Sequence, residues 1–561
     1  MPPKKAFMTP KSGKKAAQQA CAPESENDFL DLADEHEQSA GKWRAGDAVK
    51  ATRFFKRAID AYSAGLQRYP RSFDLAYNKA NLEYNLSADL RILPHLGSSK
   101  IALLEETLRS HQAAMALDPG NTDALFNTGQ VLTSLAEAML ESKTESSVKR
   151  TAGMLLENAV DIFTKCLDSQ QKEYEDMQRE LGKAGSGVEG EDGGIELGPK
   201  SSETNAQESM ETSSTPSEGP GEWATVVEAI TPETLLDTCT AQLGALTTLL
   251  SLYDPSDLAA IEAKAQNGLL TADTKIPTLI SLIRDTSPSI VPEEPTSGPT
   301  LSIGSSSPAE ELTSSPKDEA LLATANFHAS IASITYLSAR TTSPEYLSRL
   351  EQIFAPLAQT STPPSPTLDV ANINALSAYA DALLELSSAI AERSTLQSST
   401  YENANADADA DAETQWTSLT RAQTILTTLS TGSYTTTLPA SRLAATFLSR
   451  GDIDLFRFRL SLSPTAAPAW VKSRPALVSN AGVFYRGARS YAERAGDGEA
   501  RRMADAKAIV AEVMREVGLG SGVVKEGWKG RGADVQRVLE GMVEEGIVGR
   551  GDMEGVVRFT E

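Results

Sequence analysis

Sulfur and imidazole are scarce in this sequence: its 561 residues include three cysteines and four histidines. Cys21, Cys166 and Cys239 are too widely spaced to make a disulfide framework, which points to a reducing compartment. His36, His95, His111 and His328 are equally scattered, and none stands at a metal-ligand spacing from a cysteine or another histidine. Aromatic residues make up 6% of the chain, against 40% hydrophobic in all. That ratio fits many thin contacts between Ala and Leu on packed helices better than the core of a globular enzyme. No stretch approaches the roughly 18 apolar residues of a membrane span. The opening Met1-Pro2-Pro3-Lys4-Lys5 lacks the apolar run of a signal peptide. A Walker loop and a Gly-x-Ser-x-Gly elbow are both missing. Gly518-Leu519-Gly520-Ser521-Gly522 follows a helical pattern rather than a strand, so it reads as a flexible turn and not as a phosphate cradle. Carboxylates abound, but nothing places two of them in a defined cleft. No catalytic or metal residue is assigned, no cofactor is expected, and the chain reads as a non-enzyme.

What the sequence does have is acid and helix. Lys and Arg number 52 against 76 Asp and Glu, a net charge of −24, which favours a basic protein partner and argues against a nucleic-acid surface. The exception is 1–27, where Lys4, Lys5, Lys11, Lys14 and Lys15 precede any acid. This segment reads as a disordered basic tail, open to nuclear import or weak polyanion binding. Residues 184–221 read as an acidic disordered linker, with eight Glu and Asp from Glu189 to Glu218 against Lys200 alone. Thr231-Pro232-Glu233 is a helix start. It is followed by the apolar stripe Leu235, Cys239, Leu243 and Leu250, so 222–285 reads as helical hairpins. Six prolines from Pro288 to Pro316 mark a second linker, 286–316. Seven helical segments are expected within 317–517: 317–340, 344–359, 369–393, 413–429, 440–461, 476–494 and 499–517. Asp407, Asp409 and Asp411 alternate with Ala in 404–412. Without the Gly and closing Glu of a calcium loop, they read as an acidic surface loop. The Gly-rich end, 518–561, has one expected short helix, 534–545, with the remainder draped over its neighbours or loose.

The organising stretch is 51–129. Pro70 is followed ten residues later by Ala80, and Pro119 ten residues later by Gly129. Each proline closes a helix, since it lacks an N–H and steers the preceding residue out of the helical region. A small–large–small stripe with +4 and +7 spacing recurs at Ala51, Phe55, Ala58, at Thr107, His111, Ala114 and at Ala159, Phe163, Cys166. With prolines between units, this stripe resembles the tetratricopeptide repeat. The resemblance implies an all-α, TPR-like superhelix of helical hairpins, an α-solenoid. It spans 28–183 most clearly and extends more loosely into 317–517. The units are irregular: about fifteen extra residues fall near 87–100, and a similar excess falls near 141–151.

In tetratricopeptide proteins the first helix of each pair lines the concave face. By that resemblance the groove would carry Trp43, Arg44, Tyr77, Asn78, Asn81, Tyr84, Asp123, Phe126, Asn127 and Gln130. Amides can hydrogen-bond an extended backbone, and Tyr and Phe can anchor side chains. The same Tyr and Phe could equally pack between neighbouring helices. The clamp that co-chaperones of this family use on heat-shock chaperone tails is matched by Asn78 alone. His36, Ala40, Asp123 and Asn127 stand where the clamp needs Lys, Asn, Lys and Arg, which argues against that partner. The leading reading is a cytosolic or nuclear TPR adaptor or dedicated assembly chaperone holding a basic client. The alternatives are a scaffold subunit of a stable complex and, third, an enzyme or regulatory subunit with an unrecognised site.

Overall fold

The structure is a computed structural model. It describes residues 23–89, 91–142, 146–185, 229–283, 314–358, 369–397, 405–432, 434–518, 528 and 531–560. Among these residues every regular element is helical. Most of the basic tail and of both expected linkers, and the 519–522 turn, lie outside the described residues. Two compact units emerge, Met1–Val148 and Lys149–Pro295 with Glu310–Glu561. The division falls inside the span 28–183 that the sequence reading treated as one TPR-like domain.

The first unit opens with α1 (Glu26–Arg44), capped by a Ser25/Asp28 capping box. Next come α2 (Ala48–Arg68), capped by Asp47, and α3 (Phe73–Ala88), capped by Ser72. The helix α2 stops just before Pro70, as the proline dictates. The excess near 87–100 holds a one-turn helix, α4 (Leu93–Leu96), closed by Gly97 at φ +83°. Then follow α5 (Lys100–Leu117), which ends before Pro119, and α6 (Thr122–Ser142), whose Ala124 N–H is held by the Asn121 side chain. Helix α1 packs on α2, α3 on α2 and α5, and α6 on α5. The small residues of the repeated stripe sit where helices meet: Ala51, Ala58, Ala80 and Ala114 are fully buried, and Gly129 is buried. Gly65 belongs with them although no pattern flagged it. A Cβ there would lie 2.9 Å from Leu75 Cδ1 and 3.0 Å from Phe29 Cβ, so α1, α2 and α3 converge on a bare backbone.

Nearly all of α7 (Ser146–Gly185) lies in the second unit. It bonds α8 (Pro232–Leu250) through Thr238 Oγ1 to Gln170 and through Gln242 Nε2 to Thr164. Thr231 caps α8 as expected, and its stripe of Leu235, Cys239, Leu243 and Leu250 is buried. One continuous helical path follows: α9 (Leu258–Leu270), a π-helical turn (Thr271–Lys275) and α10 (Ile276–Leu282). The path passes Gly268, whose Cβ position is filled by the Phe327 ring.

The remaining helices follow in series and share one core from Ala325 to Val556. They are α11 (Pro316–Leu337), α12 (Ser343–Phe354), α13 (Val370–Gln397), α14 (Asn405–Leu429), the single turn α15 (Tyr434–Thr437), α16 (Ala440–Ser461), α17 (Pro468–Ala495) and α18 (Gly498–Gly518). Two starts differ from expectation. Helix α14 begins at Asn405, so the Asp–Ala alternation is helix rather than loop. Ala is the best helix former, and acids near a helix N-terminus are favoured by its dipole. Helix α17 begins at Pro468 and carries Pro475 inside it. The end of the chain has two helices, α19 (Gly532–Glu544) and α20 (Arg550–Thr560), where one was expected. They are docked rather than loose: Val535, Leu539, Met542, Ile547, Val548 and Val556 are at most 2% exposed. Gly546, at φ +75°, turns the chain between them, and its carbonyl accepts from the Arg459 guanidinium.

Candidate functional site

The sequence-derived groove residues fall into two groups. Tyr77, Asn78, Asn81 and Tyr84 stand on α3, and Asp123, Phe126, Asn127 and Gln130 on α6. All are half-buried except Asp123, which is exposed. Asn127 joins the two helices, its Nδ2 donating to Tyr77 Oη at 3.0 Å and to Asn81 Oδ1 at 3.0 Å. Two turns further along, Tyr84 Oη meets Ser134 Oγ at 3.0 Å. Tyr77 to Asn127 and Tyr84 to Ser134 share the same sequence offset of 50, so α3 and α6 run parallel in constant register. The partners of Asn127 are thus Tyr77 and Asn81, and Asn78 takes no part in these bonds. The seam explains the costly choice of Asn in a helix interior.

The environment of the seam is polar but not wet throughout. Tyr77 stacks on Phe73 at 5.4 Å, and burial pushes its phenol above the usual range, with the Asp123 charge adding to the effect. Behind it, His111 of α5 is fully buried, edge-on to Tyr84 at 6.5 Å, and burial lowers it to about 4. It is a neutral packing ring on the core stripe. Glu83 points from α3 toward α5 at 3% exposure, with Lys79 Nζ at 3.3 Å, and burial raises its carboxyl. Neither Ser134 nor Glu83 was singled out by spacing. Ser134 lies exactly one heptad after Asn127 on α6, and that interval was the available signal.

Trp43 and Arg44 belong elsewhere in the unit. Trp43 is 41% exposed at the α1–α2 corner, where Lys50 Nζ stands 3.1 Å from its ring centroid. Arg44 Nε bonds Asp89 Oδ2 at 2.6 Å, tying the end of α1 to the end of α3. Among the described residues no group of three or more His, Cys, Asp or Glu is placed to hold a metal ion. No helix among them is long and apolar enough to cross a membrane.

No protein-family model matches the chain. A curated relative is the UPF0656 protein C926.02 of Schizosaccharomyces pombe, 26% identical over 147 residues. The match covers 26% of this chain and 31% of that protein, whose name states no activity.

Proposed function

We propose that the chain is a non-enzymatic, tetratricopeptide-type adaptor or assembly chaperone of the cytosol or nucleus. In this reading the face shared by α3 and α6 is the concave wall of a short superhelix, and it holds a polypeptide segment. The observation that carries the reading is the α3–α6 seam. Two parallel helices present a row of amides, phenols and a hydroxyl that stays half-exposed. First helices of successive pairs lie side by side in this way in helical-repeat proteins, and such a row suits an extended backbone. The net charge of −24 supports a basic client.

The test is photocrosslinking in cells. A photoreactive amino acid at Asn78 or Gln130 should give adducts with a basic polypeptide, whereas one at the exposed Glu105 of α5 should not. Adducts arising from Glu105 but from neither groove position would place binding off this face. A scaffold subunit would differ by co-purifying with its adduct partner at a fixed ratio.

A further inference from the structure

Charge is unevenly spread along the chain. Residues 440–561 hold nineteen Lys and Arg against sixteen Asp and Glu, while the rest holds 33 against 60. Within this less acidic end, α16 carries Arg450, Asp454 and Arg457 at intervals of four and three residues, so they form one stripe. The stripe lies between α14 and α17. Arg450 is 9% exposed, and its NH1 donates to Ser430 Oγ at 2.7 Å. Its guanidinium stands 4.0 Å from the Phe484 ring centroid and 5.5 Å from that of Phe447. Arg457 covers Trp416 at 4.6 Å, and Trp416 stacks on Trp470 at 4.6 Å. Both arginines leave a buried Nε without a hydrogen-bond partner among the described residues. Two guanidiniums thus share one carboxylate, Asp454, which Arg457 NH1 reaches only at 3.3 Å. Asp454 also bonds Asn480 of α17, which is exposed and is the end of this bonded group nearest the surface.

We propose that the Arg450–Arg457 stripe, walled by Trp416, Trp470 and Phe484 and with Asn480 at its exposed end, is a docking site for an acidic polypeptide segment supplied by a partner. Carboxylates are planar anions whose two oxygens accept paired N–H bonds from a guanidinium fork, and here two forks lack a full complement. The aromatic rings argue against a nucleic acid. One face of Trp416 is taken by Trp470 and its ring also bears Arg457, and Phe484 bears Arg450, so these rings hold guanidiniums rather than offering a platform for bases. The site is separate from the α3–α6 seam and does not depend on its reading.

Asp454 makes the site pH-dependent. Burial pushes its carboxyl up to about 6 against the pull of Arg457, Arg450 and Asn480, and the Asp452–Lys507 pair with Tyr485 lies next to it. Above that value the internal carboxylate competes with an incoming one. Below it Asp454 is neutral, and the incoming acid has the arginines to itself.

The test uses the full chain and a fluorescein-labelled deca-aspartate, with deca-lysine and an oligothymidylate of equal length as comparisons, in low salt from pH 5.5 to 7.5. Binding of deca-aspartate alone, tightening as pH falls, is expected. Arg457→Gln should weaken it by about tenfold or more. Asp454→Asn should tighten it at pH 7.5 and remove the pH dependence, a gain that a misfolded variant would not show. Failure of deca-aspartate to bind, binding unchanged by both substitutions, or stronger binding of the oligothymidylate that Arg457→Gln abolishes would each overturn the proposal.

Discussion

Asn127 does its structural work with one nitrogen, which reaches both Tyr77 and Asn81 across the α3–α6 seam. Removing it strands two half-exposed acceptors that water can still reach. Asn127→Ala should therefore cost about 1 kcal/mol, partly offset by the better helix propensity of Ala. Asn78→Ala, with no part in the seam, should cost nothing or stabilise slightly. Urea midpoints of the two variants separate these outcomes, and equal values would mean that the seam bonds carry no stability. At this scale the sequence was informative about residue type and silent about pairing. Asn at positions 78, 81 and 127 announced a polar face, because Asn is a poor choice in a plain helix. Which amide meets which depends on the rotation of α6 against α3, and a ten-residue interval after a proline fixes that only to within a side chain. Arg450 and Arg457 escaped notice because arginine in a helix is ordinary in composition. Their burial is visible only when α14 and α17 are in place.

Elements were more legible than their edges. Pro70, Pro119 and Thr231-Pro232 marked ends that the helices obey, since proline cannot donate inside a helix and fits its first turn. The start of α14 was missed because the Asp residues were weighed against a calcium loop and then read as a surface loop, while the helix propensity of the Ala between them was not weighed. The helix there is anchored by Ser343 Oγ, which donates to Asp411 at 2.5 Å. Ala412→Pro distinguishes the two readings. In a loop the change is mild, but in α14 it removes a backbone bond and should cost about 3 kcal/mol. Circular dichroism with thermal melting measures it. The last helix, α20, was missed for a related reason. Gly541, Gly546, Gly549, Gly551 and Gly555 suggest loose chain, yet Val535, Leu539, Ile547, Val548 and Val556 keep an apolar spacing that closes onto the core.

For the whole molecule, the boundary at Val148 is a stronger constraint than the repeat pattern, which runs past it into α7. Leu156, Ala159, Phe163 and Cys166 are buried in the second unit, which includes α8. A fragment 23–185 should therefore expose that stripe and self-associate, while a fragment 23–148 should stay monomeric. Gel filtration of the two distinguishes them, and a monomeric 23–185 fragment would return α7 to the first unit. The α3–α6 register has a consequence for chain evolution. The side-chain bonds that align the helices at two heights, and the packing of both on α5, do not depend on the length of the connection that carries α4. Insertions between 97 and 99, beyond the Arg44–Asp89 pair and the buried Ile92, can therefore accumulate without sliding one helix past the other. Diverged relatives would need an alignment gap there while their polar rows remained superimposable.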